Sequence, residues 1–209
     1  MNIRTVLFDL DGTLIDTNKL IAASFAHTFE QFGFAFTNEE MLAFNGPPLV
    51  DTFRAYLPDR VEEMVTIYRE HNIEHHDRYV KVFPHVKETL KALQEADVRI
   101  AVVTSKMHSV AKHGLTFTGL APYVEHLIAF DDVEHAKPHP ESVVHAMGLL
   151  DAKRESTLMV GDNYQDIEAG HNAGIRTAGV EWSHKGKDFL ESYNPTYMFA
   201  DMRDVLKLI

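Results

Sequence analysis

The sequence predicts an α/β protein in which a doubly wound, Rossmann-like parallel sheet carries an inserted helical domain. An apolar run, Val6–Phe8, ends in two acids, Asp9 and Asp11, as a buried parallel strand does where it reaches a site. After Phe83, short apolar runs alternate with helical patterns, which is typical of right-handed βαβ units. Residues 17–80 show helical periodicity without a convincing strand pattern. We therefore expect an α/β core that is interrupted by a few antiparallel helices.

The predicted domain boundaries follow from where this periodicity changes. The core comprises residues 1–16 and 81–209, and the helical insertion comprises residues 17–80. In the core, apolar runs predict strands at Ile3–Phe8, Val98–Thr104, His126–Phe130, Thr157–Gly161 and Thr177–Val180. Helices are predicted between them at Val86–Glu95, Ser109–Phe117, Pro140–Leu149 and Asp166–Ala173. In the insertion, Thr37–Glu40 reads as a capping box and predicts the start of a helix.

Composition argues against several kinds of protein. The chain has 209 residues, 45% of them hydrophobic, which suffices for one substantial core plus a smaller insertion. The formal net charge of −11 argues against nucleic acid or an anionic membrane as a partner. Without cysteine, the chain offers neither disulfides nor a thiolate nucleophile. A signal-peptide pattern and a membrane-spanning apolar run are also missing, so a soluble cytoplasmic protein is expected.

Asp9 and Asp11 are the first candidate site residues. In an extended chain, residues i and i+2 point to the same side, so both carboxylates should project into one small volume. Such carboxylates repel each other unless a cation is present, and Mg²⁺ prefers one or two of them together with waters and a phosphate oxygen. Gly12 permits a turn, and Thr13 offers a hydroxyl and an N–H to an anion. The alternative is a plain hairpin turn at Asp11-Gly12 leading into a short second strand, which leaves Asp9 unexplained.

A second strand end offers hydroxyl groups. The strand that ends at Val103 is followed by Thr104, Ser105 and Lys106. A hydroxyl and backbone N–H groups at the start of a helix can cradle a phosphate. An N-cap role for Thr104 explains the same pattern equally well.

Two further strand ends contribute charge. Lys137 lies between an acidic loop and two prolines, and a lysine held in this way can bring a carboxylate and a phosphate oxygen together. A solvated loop lysine is the alternative. Asp162 follows the strand Thr157–Gly161 and is expected to be a metal ligand. Asp166 either ligates the metal too, or caps the next helix and orients Lys137 or a metal-bound water. Acids, a hydroxyl and a lysine at one sheet edge predict phosphoryl transfer.

In order and spacing, these polar groups resemble the four motifs of the haloacid dehalogenase-like (HAD) phosphohydrolases, carried by Asp9-Leu10-Asp11-Gly12-Thr13, Thr104, Lys137 and Gly161-Asp162-x-x-x-Asp166. The resemblance covers essentially the whole chain, and the helical insertion is similar to the C1-type cap of that family. The first and last motifs are specific, whereas the middle two are weak when taken singly.

The resemblance implies a role for each matching position. Asp9 would be the nucleophile that forms an aspartyl-phosphate, and Asp11 would be the general acid and base. Thr104 would hydrogen-bond a phosphoryl oxygen, and Lys137 would stabilise Asp9 and the phosphoryl charge. The residues alone do not decide which acid is the nucleophile.

The resemblance also implies Mg²⁺ as the cofactor. The ion would be held by Asp9, a backbone carbonyl of Asp11, and Asp162, with Asp166 assisting. A helical cap of this type is expected to open and close over the site, because a dry site strengthens the charges inside it.

At a finer scale the chain is similar to bacterial inorganic pyrophosphatases of this superfamily, in stretches such as Asp131–His135 before Lys137 and the tail from Thr177 to Gly186. The implied substrate is a small phosphate compound, with pyrophosphate favoured. The candidate substrate-binding residues are Thr13, Gly46, Arg69, Ser105, Lys106 and Lys185. For each of the basic ones, simple solvent exposure is the alternative.

Three other functions share parts of this pattern. Phosphoglycolate phosphatases have the same scaffold, and the motifs do not separate them from pyrophosphatases. Phosphomutases of the family share the cap and the catalytic aspartates. A phospho-accepting receiver module also uses acids, Mg²⁺, a threonine and a lysine, but the acid pair here ends the first strand and a helical block follows it.

Overall fold

The computed structural model describes residues 2–45 and 47–209. The chain forms two compact units. One contains Lys81–Ile209 together with the segment that ends at Asp16, and the other is Thr17–Val80. Each unit has its own hydrophobic core.

The strands in the described part of the chain all belong to the first unit: β1 (Thr5–Phe8), β2 (Ile15–Asp16), β3 (Lys81–Val82), β4 (Arg99–Val103), β5 (His126–Ile128), β6 (Thr157–Gly161), β7 (Arg176–Val180) and β8 (Tyr197–Phe199). The α-helices of Thr17–Val80 are α1 (Asn18–Gln31), α2 (Asn38–Ala43), α3 (Leu49–Arg54) and α4 (Val61–Tyr79). Those of the first unit are α5 (Val86–Glu95), α6 (His108–Phe117), α7 (Glu141–Leu149), α8 (Tyr164–Asn172) and α9 (Lys187–Glu191).

Among the described residues, six strands form a parallel sheet in the order β5-β4-β1-β6-β7-β8, flanked by helices. This confirms the predicted α/β fold. The chain runs from β1 to β4 on one side and later returns to β6 on the other, so β1 lies at the point where the strand order reverses. Ligands of open α/β sheets bind outside the carboxyl ends of the strands at such a point.

The core of the first unit consists of apolar side chains that the strands and helices bury. Leu7 of β1, Ala101 of β4 and Met159 of β6 have no exposed surface. The strands are apolar without alternation because helices cover both faces of a parallel sheet. This buried layer holds the carboxyl ends of neighbouring strands in a defined register.

The unit Thr17–Val80 has an aromatic core. The ring of Phe53 lies 5.6 Å from that of Phe25 and 5.5 Å from that of Phe29, measured between centroids. Tilted and edge-on aromatic pairs such as these stabilise the packing beyond the area they bury.

The predicted capping box is formed at α2, where the N–H of Glu40 donates to Thr37 Oγ1 and the N–H of Thr37 donates to Glu40 Oε2.

One alternative and one expectation were wrong. The short second strand forms as β2, but it pairs antiparallel with β3, so the alternative of a plain hairpin at Asp11-Gly12 was wrong. Strand β5 ends at Ile128, because Phe130–Asp132 form a 3-10 turn in which Asp132 accepts the N–H of Ala129. Both differences come from long-range or side-chain hydrogen bonds that apolar periodicity does not report.

Candidate active site

The site lies at the carboxyl edge of the sheet. The parallel register aligns Phe8 with Val102 of β4 and with Val160 of β6. The residues that follow these positions therefore share one edge. The N–H of Asp9 continues the ladder by donating to the carbonyl of Val160 at 2.9 Å.

Lys137 connects three acceptors at this edge. Its Nζ lies 2.7 Å from Asp9 Oδ1, 2.6 Å from Asp166 Oδ1 and 2.9 Å from the carbonyl oxygen of Val103. The side chain of Lys137 is 3% exposed, so it is not a solvated loop lysine. Burial alone would lower the pKa of Lys137, but the carboxylates of Asp166 and Asp9 outweigh it and raise that pKa. The ammonium group is therefore held charged against Asp9.

The site carries more negative than positive charge. Burial raises the pKa of Asp9 to about 7; Lys137 opposes this shift, and the Asp166 carboxylate adds to it. Burial likewise raises the pKa of Asp162 well above its ordinary value, and the carboxylates of Asp9 and Asp166 add to the shift. Three buried carboxylates that share one ammonium group favour binding of a further cation.

The donor set fits a hard divalent cation. One oxygen from each of Asp9, Asp162 and Asp166 lies within 4.8 Å of the other two. Asp166 uses Oδ1 for Lys137 and Oδ2 for the N–H of Asn163 at the start of α8. The carboxylate of Asp162, by contrast, accepts no hydrogen bond from any described residue. Asp9 and Asp162 are thus better placed as ligands, and Asp166 as the residue that orients Lys137.

Two glycines allow the backbone to approach these carboxylates. Gly12 has φ +86°, and a Cβ at this position would overlap the carboxylate of Asp162. A Cβ on Gly161 would overlap the side chain of Asp166. Only glycine fits at either position without displacing an acid.

Asp11 is held by Lys106. Nζ of Lys106 lies 2.9 Å from Oδ1 and 3.1 Å from Oδ2 of Asp11, and the side chains are 12% and 18% exposed. The N–H of Lys106 donates to Oγ1 of the buried Thr104 at 3.2 Å. Helix α6 begins at His108 with Met107 as its N-cap, so the N-cap interpretation of Thr104 was wrong. Because α6 begins at His108, residues 104–106 precede the helix and do not form its first turn.

Three other sequence-predicted residues of this unit differ in exposure. Thr13 is buried, and its Oγ1 has no hydrogen-bond partner among the described residues. Lys185 is half-buried; burial lowers its pKa, and the Asp162 carboxylate partly opposes this. The N–H of Lys185 donates to Ser183 Oγ, which itself donates to the carbonyl of Asp162. Ser105 is exposed.

Two substrate-binding candidates belong to the helical unit. Arg69 is an exposed residue of α4. Gly46 lies outside the described residues. A role of either residue in binding substrate stays a prediction.

Two contributions escaped the sequence reasoning. The carbonyl of Val103 accepts from Lys137, and the hydroxyl of Ser183 ties the loop after β7 to Asp162. A backbone carbonyl leaves no signal in a sequence, and a serine after a strand is too common to single out. The pairing of Lys106 with Asp11 was also not anticipated, although both residues were candidates.

No helix in residues 2–45 or 47–209 combines the length and apolar character needed to cross a bilayer.

The profile of the haloacid dehalogenase-like hydrolase family matches residues 6–180. Pyrophosphatase PpaX of Oceanobacillus iheyensis is 50% identical over 209 residues, which cover 100% of this chain and 98% of that protein. Pyrophosphatase PpaX of Anoxybacillus flavithermus is 49% identical over 210 residues, with the same coverage. The solved structure of a haloacid dehalogenase-like hydrolase from Streptococcus pneumoniae superposes with a TM-score of 0.89 at 25% identity, covering 98% of this chain and 97% of that one.

Proposed function

The chain belongs to the haloacid dehalogenase-like hydrolase family, and on that basis we propose that it is a Mg²⁺-dependent phosphohydrolase that cleaves inorganic pyrophosphate through an aspartyl-phosphate. The observation that supports this most directly is the buried group of Asp9, Asp162, Asp166 and Lys137 at the switch point of the sheet. The full-length similarity to two pyrophosphatases supports the choice of substrate.

Asp9 is the proposed nucleophile. Lys137 binds its Oδ1 at 2.7 Å and so fixes the direction of the carboxylate, which leaves Oδ2 for attack on phosphorus. In the first step the bond from Asp9 to phosphorus forms as the bond from phosphorus to the leaving oxygen breaks. Lys137 stays within reach of the equatorial oxygens that carry the charge. Thr104 and Thr13, which both follow carboxyl ends of strands, are the proposed hydrogen-bond donors to the same phosphoryl group.

Asp9 and Asp162, with Asp166 nearby, would hold the Mg²⁺ ion. When bound, the ion supplies positive charge that permits an anionic substrate to approach an acidic pocket and offsets charge developing on the phosphoryl group. Without such a cation, the buried carboxylates would repel the substrate.

Asp11 is the proposed general acid and base. It gives a proton to the leaving oxygen in the first step, and in the second it takes a proton from the water that attacks phosphorus and releases Asp9. Lys106 positions Asp11 through bonds to both of its oxygens. Its ammonium group is also a positive charge beside the proposed general acid, which suits a departing phosphate.

The substrate assignment can be tested with a panel of phosphate compounds. Phosphate release should be measured from pyrophosphate, phosphoglycolate and several sugar phosphates, with Mg²⁺ and with chelator. A strong preference for pyrophosphate supports the proposal. A profile led by phosphoglycolate would replace pyrophosphatase by phosphoglycolate phosphatase, and isomerised sugar phosphate without free phosphate would indicate a phosphomutase.

The intermediate needs a separate experiment. The enzyme should be mixed with radiolabelled pyrophosphate and quenched in acid, which preserves an acyl phosphate long enough to detect label on the protein. We expect label on the wild type, none on Asp9→Asn, and unchanged label on Asp188→Asn, which alters an exposed aspartate of α9. Turnover that persists in Asp9→Asn would contradict the nucleophile assignment, and stable label without turnover would favour a receiver module.

A further inference from the structure

Lys106 reaches Asp11 from a loop and not from a helix or strand. It lies in residues 104–107, between β4 and α6, which we call the β4–α6 loop. A lysine side chain is long and flexible, so the direction of its ammonium group depends on how firmly its backbone is held. The hydrogen bonds of this loop therefore bear on whether Lys106 keeps its two contacts with Asp11.

The β4–α6 loop runs beside the residues that follow β5. The N–H of Thr104 donates to the carbonyl of Ile128 at 2.9 Å, and the N–H of Phe130 donates to the carbonyl of Lys106 at 3.0 Å. These two bonds continue the pairing of β4 with β5 beyond the ends of both strands. The backbone of Lys106 is thereby fixed at one point to the 3-10 turn Phe130–Asp132.

The backbone of His108, the first residue of α6, is bound to the same turn. The N-cap of α6 is Met107, whose side chain makes no capping hydrogen bond with any residue that the structure describes. Oδ1 of Asp131 instead accepts the N–H of His108 at 2.6 Å. A carboxylate at this position binds a free N–H group and interacts favourably with the helix dipole. Asp131 thus supplies the acceptor that the N-cap residue lacks.

The ring of His108 makes the second bond to the turn. Its Nδ1 lies 2.8 Å from Oδ2 of Asp132, an oxygen that also accepts the N–H of Ala129 at 2.8 Å. Burial alone would raise the pKa of Asp132, but the hydrogen bonds from His108 and Ala129 outweigh it and lower that pKa. An ionised carboxylate can only accept hydrogen bonds, so Nδ1 of His108 carries the proton.

We propose that His108 is a positioning residue that holds the β4–α6 loop against the turn Phe130–Asp132 and so keeps Lys106 on Asp11. The inference rests on the proposed function, in which Asp11 transfers the proton. The loop is fixed at the carbonyl of Lys106 and again two residues later at His108, which leaves little freedom between the two points. Without the ring bond, the second point is weakened and the ammonium group loses its fixed direction.

Two variants of one side chain isolate the ring bond. In His108→Asn the amide N–H₂ takes the place of Nδ1 and can still donate to Asp132, whereas His108→Leu has no donor. The side chain of His108 is 42% exposed, so neither variant should unfold the chain. We expect His108→Leu to lower kcat for phosphate release about tenfold with a smaller change in KM, because it disturbs proton transfer. His108→Asn should keep most of the wild-type kcat.

A double variant shows whether His108 acts through Lys106. If it does, adding His108→Leu to Lys106→Met should lower kcat no further, because the group that the ring positions is already gone. A merely structural role would lower kcat by the same factor in both backgrounds. That result would overturn the proposal, as would equal kcat in the wild type and His108→Leu.

Crystal structures of the two single variants separate this inference from the proposed function, because they need no substrate. The contact between Lys106 Nζ and Asp11 should be lost in His108→Leu and stay near 2.9 Å in His108→Asn. An unchanged contact in His108→Leu would overturn the positioning role even if pyrophosphate is the substrate. A wild type that releases no phosphate from pyrophosphate would contradict the proposed substrate, and the loss of the contact in His108→Leu would still support the positioning role.

Discussion

At the scale of single residues, the site depends on which carboxylate each lysine holds. Lys137 binds Asp9 and Asp166, and Lys106 binds Asp11. The carboxylate of Asp162, by contrast, forms no ion pair with any residue that the structure describes. The two lysines therefore divide the acids into the proposed nucleophile Asp9, the proposed proton-transfer residue Asp11, and Asp162, which we propose as a metal ligand.

Removal of the Lys106 ammonium group should impair catalysis more than folding. In Lys106→Met the carboxylate of Asp11 loses both of its bonds, so its proton transfer is no longer directed at the leaving oxygen. We expect kcat to fall by about 10²-fold, the scale of general acid–base catalysis. Steady-state phosphate release gives kcat, and Lys112→Met, at an exposed lysine of α6, should retain the wild-type rate. An unchanged kcat in Lys106→Met would contradict a positioning role.

Gly12→Ala tests the close approach of backbone to carboxylate. Gly33 provides the matched control, since its φ of +80° is close to the +86° of Gly12 but a Cβ there would have no neighbour within 4 Å. Backbone strain should lower the free energy of unfolding by about 1–2 kcal/mol in both variants, and the overlap with Asp162 should add to this loss in Gly12→Ala. Only Gly12→Ala should also weaken Mg²⁺ binding, because the new methyl group displaces Asp162. Urea unfolding and Mg²⁺ titration separate the two effects, and equal Mg²⁺ affinity in both variants would contradict the argument.

At the scale of elements, strand ends and helix starts assemble the site together. Strand β6 delivers Asp162, and α8 begins two residues later with Asn163 as its N-cap and Asp166 in its first turn. Asp166 thereby performs two tasks, since Oδ2 binds the N–H of Asn163 and Oδ1 binds Lys137. Formation of the helix and orientation of the lysine are coupled through one side chain.

The last 3-10 helix, Met202–Leu208, provides a pH-dependent test of element stability. Asp201 caps it, and hydrogen bonds from Arg203 lower the pKa of Asp201 from 3.8 to about 2. Because the folded pKa is depressed, this stabilisation is present above pH 3.8 and is lost as the pH falls toward 2. Asp201→Asn should therefore lower the free energy of unfolding at neutral pH. The difference in the free energy of unfolding between this variant and the wild type should decrease as the pH falls from 4 to 2.

Urea unfolding at a series of pH values measures this difference. Arg203→Met removes the guanidinium but keeps the backbone N–H that donates to Asp201, so it should give part of this loss, and the double variant should lose little more than Asp201→Asn alone. A difference between Asp201→Asn and the wild type that does not vary with pH would show that the charge of Asp201 is not what stabilises the cap.

At the scale of the whole molecule, the proposed metal ion links activity to stability. Mg²⁺ should bind the folded chain and not the unfolded one, because Asp9 and Asp162 meet only in the folded sheet. At 100 times its dissociation constant, a ligand of this kind stabilises the folded state by about 2.7 kcal/mol. We expect Tm to rise with Mg²⁺ and phosphate release to stop in chelator.

Asp162→Asn tests the origin of that stabilisation. The variant should lose most of the Mg²⁺-dependent rise in Tm, whereas Asp188→Asn, at an exposed aspartate, should keep it. If Tm of the wild type is the same in Mg²⁺ and in chelator, the acidic group is not a metal site.

Much of the fold could be read from local patterns. The apolar runs around Val6–Phe8 and Leu158–Val160 have to be buried on both faces, and an apolar run of this kind predicts a parallel strand wherever helical patterns alternate with it. The acids after these runs lie at strand ends for the same local reason. The 3-10 turn after β5 was missed because Asp132 creates it through a side-chain bond that periodicity does not reveal.

The sequence by itself thus determined the sheet and the residues that reach its carboxyl edge, since these depend on burial patterns a few residues long. Only the tertiary structure decided which charges pair. Lys106 meets Asp11 across 95 positions of the chain, and Lys137 meets Asp9 across 128. Such pairs depend on the order of strands β1, β4 and β5 in the sheet. From the sequence alone, every acid at that edge is an equivalent partner for either lysine, because only the folded structure gives the distances between them.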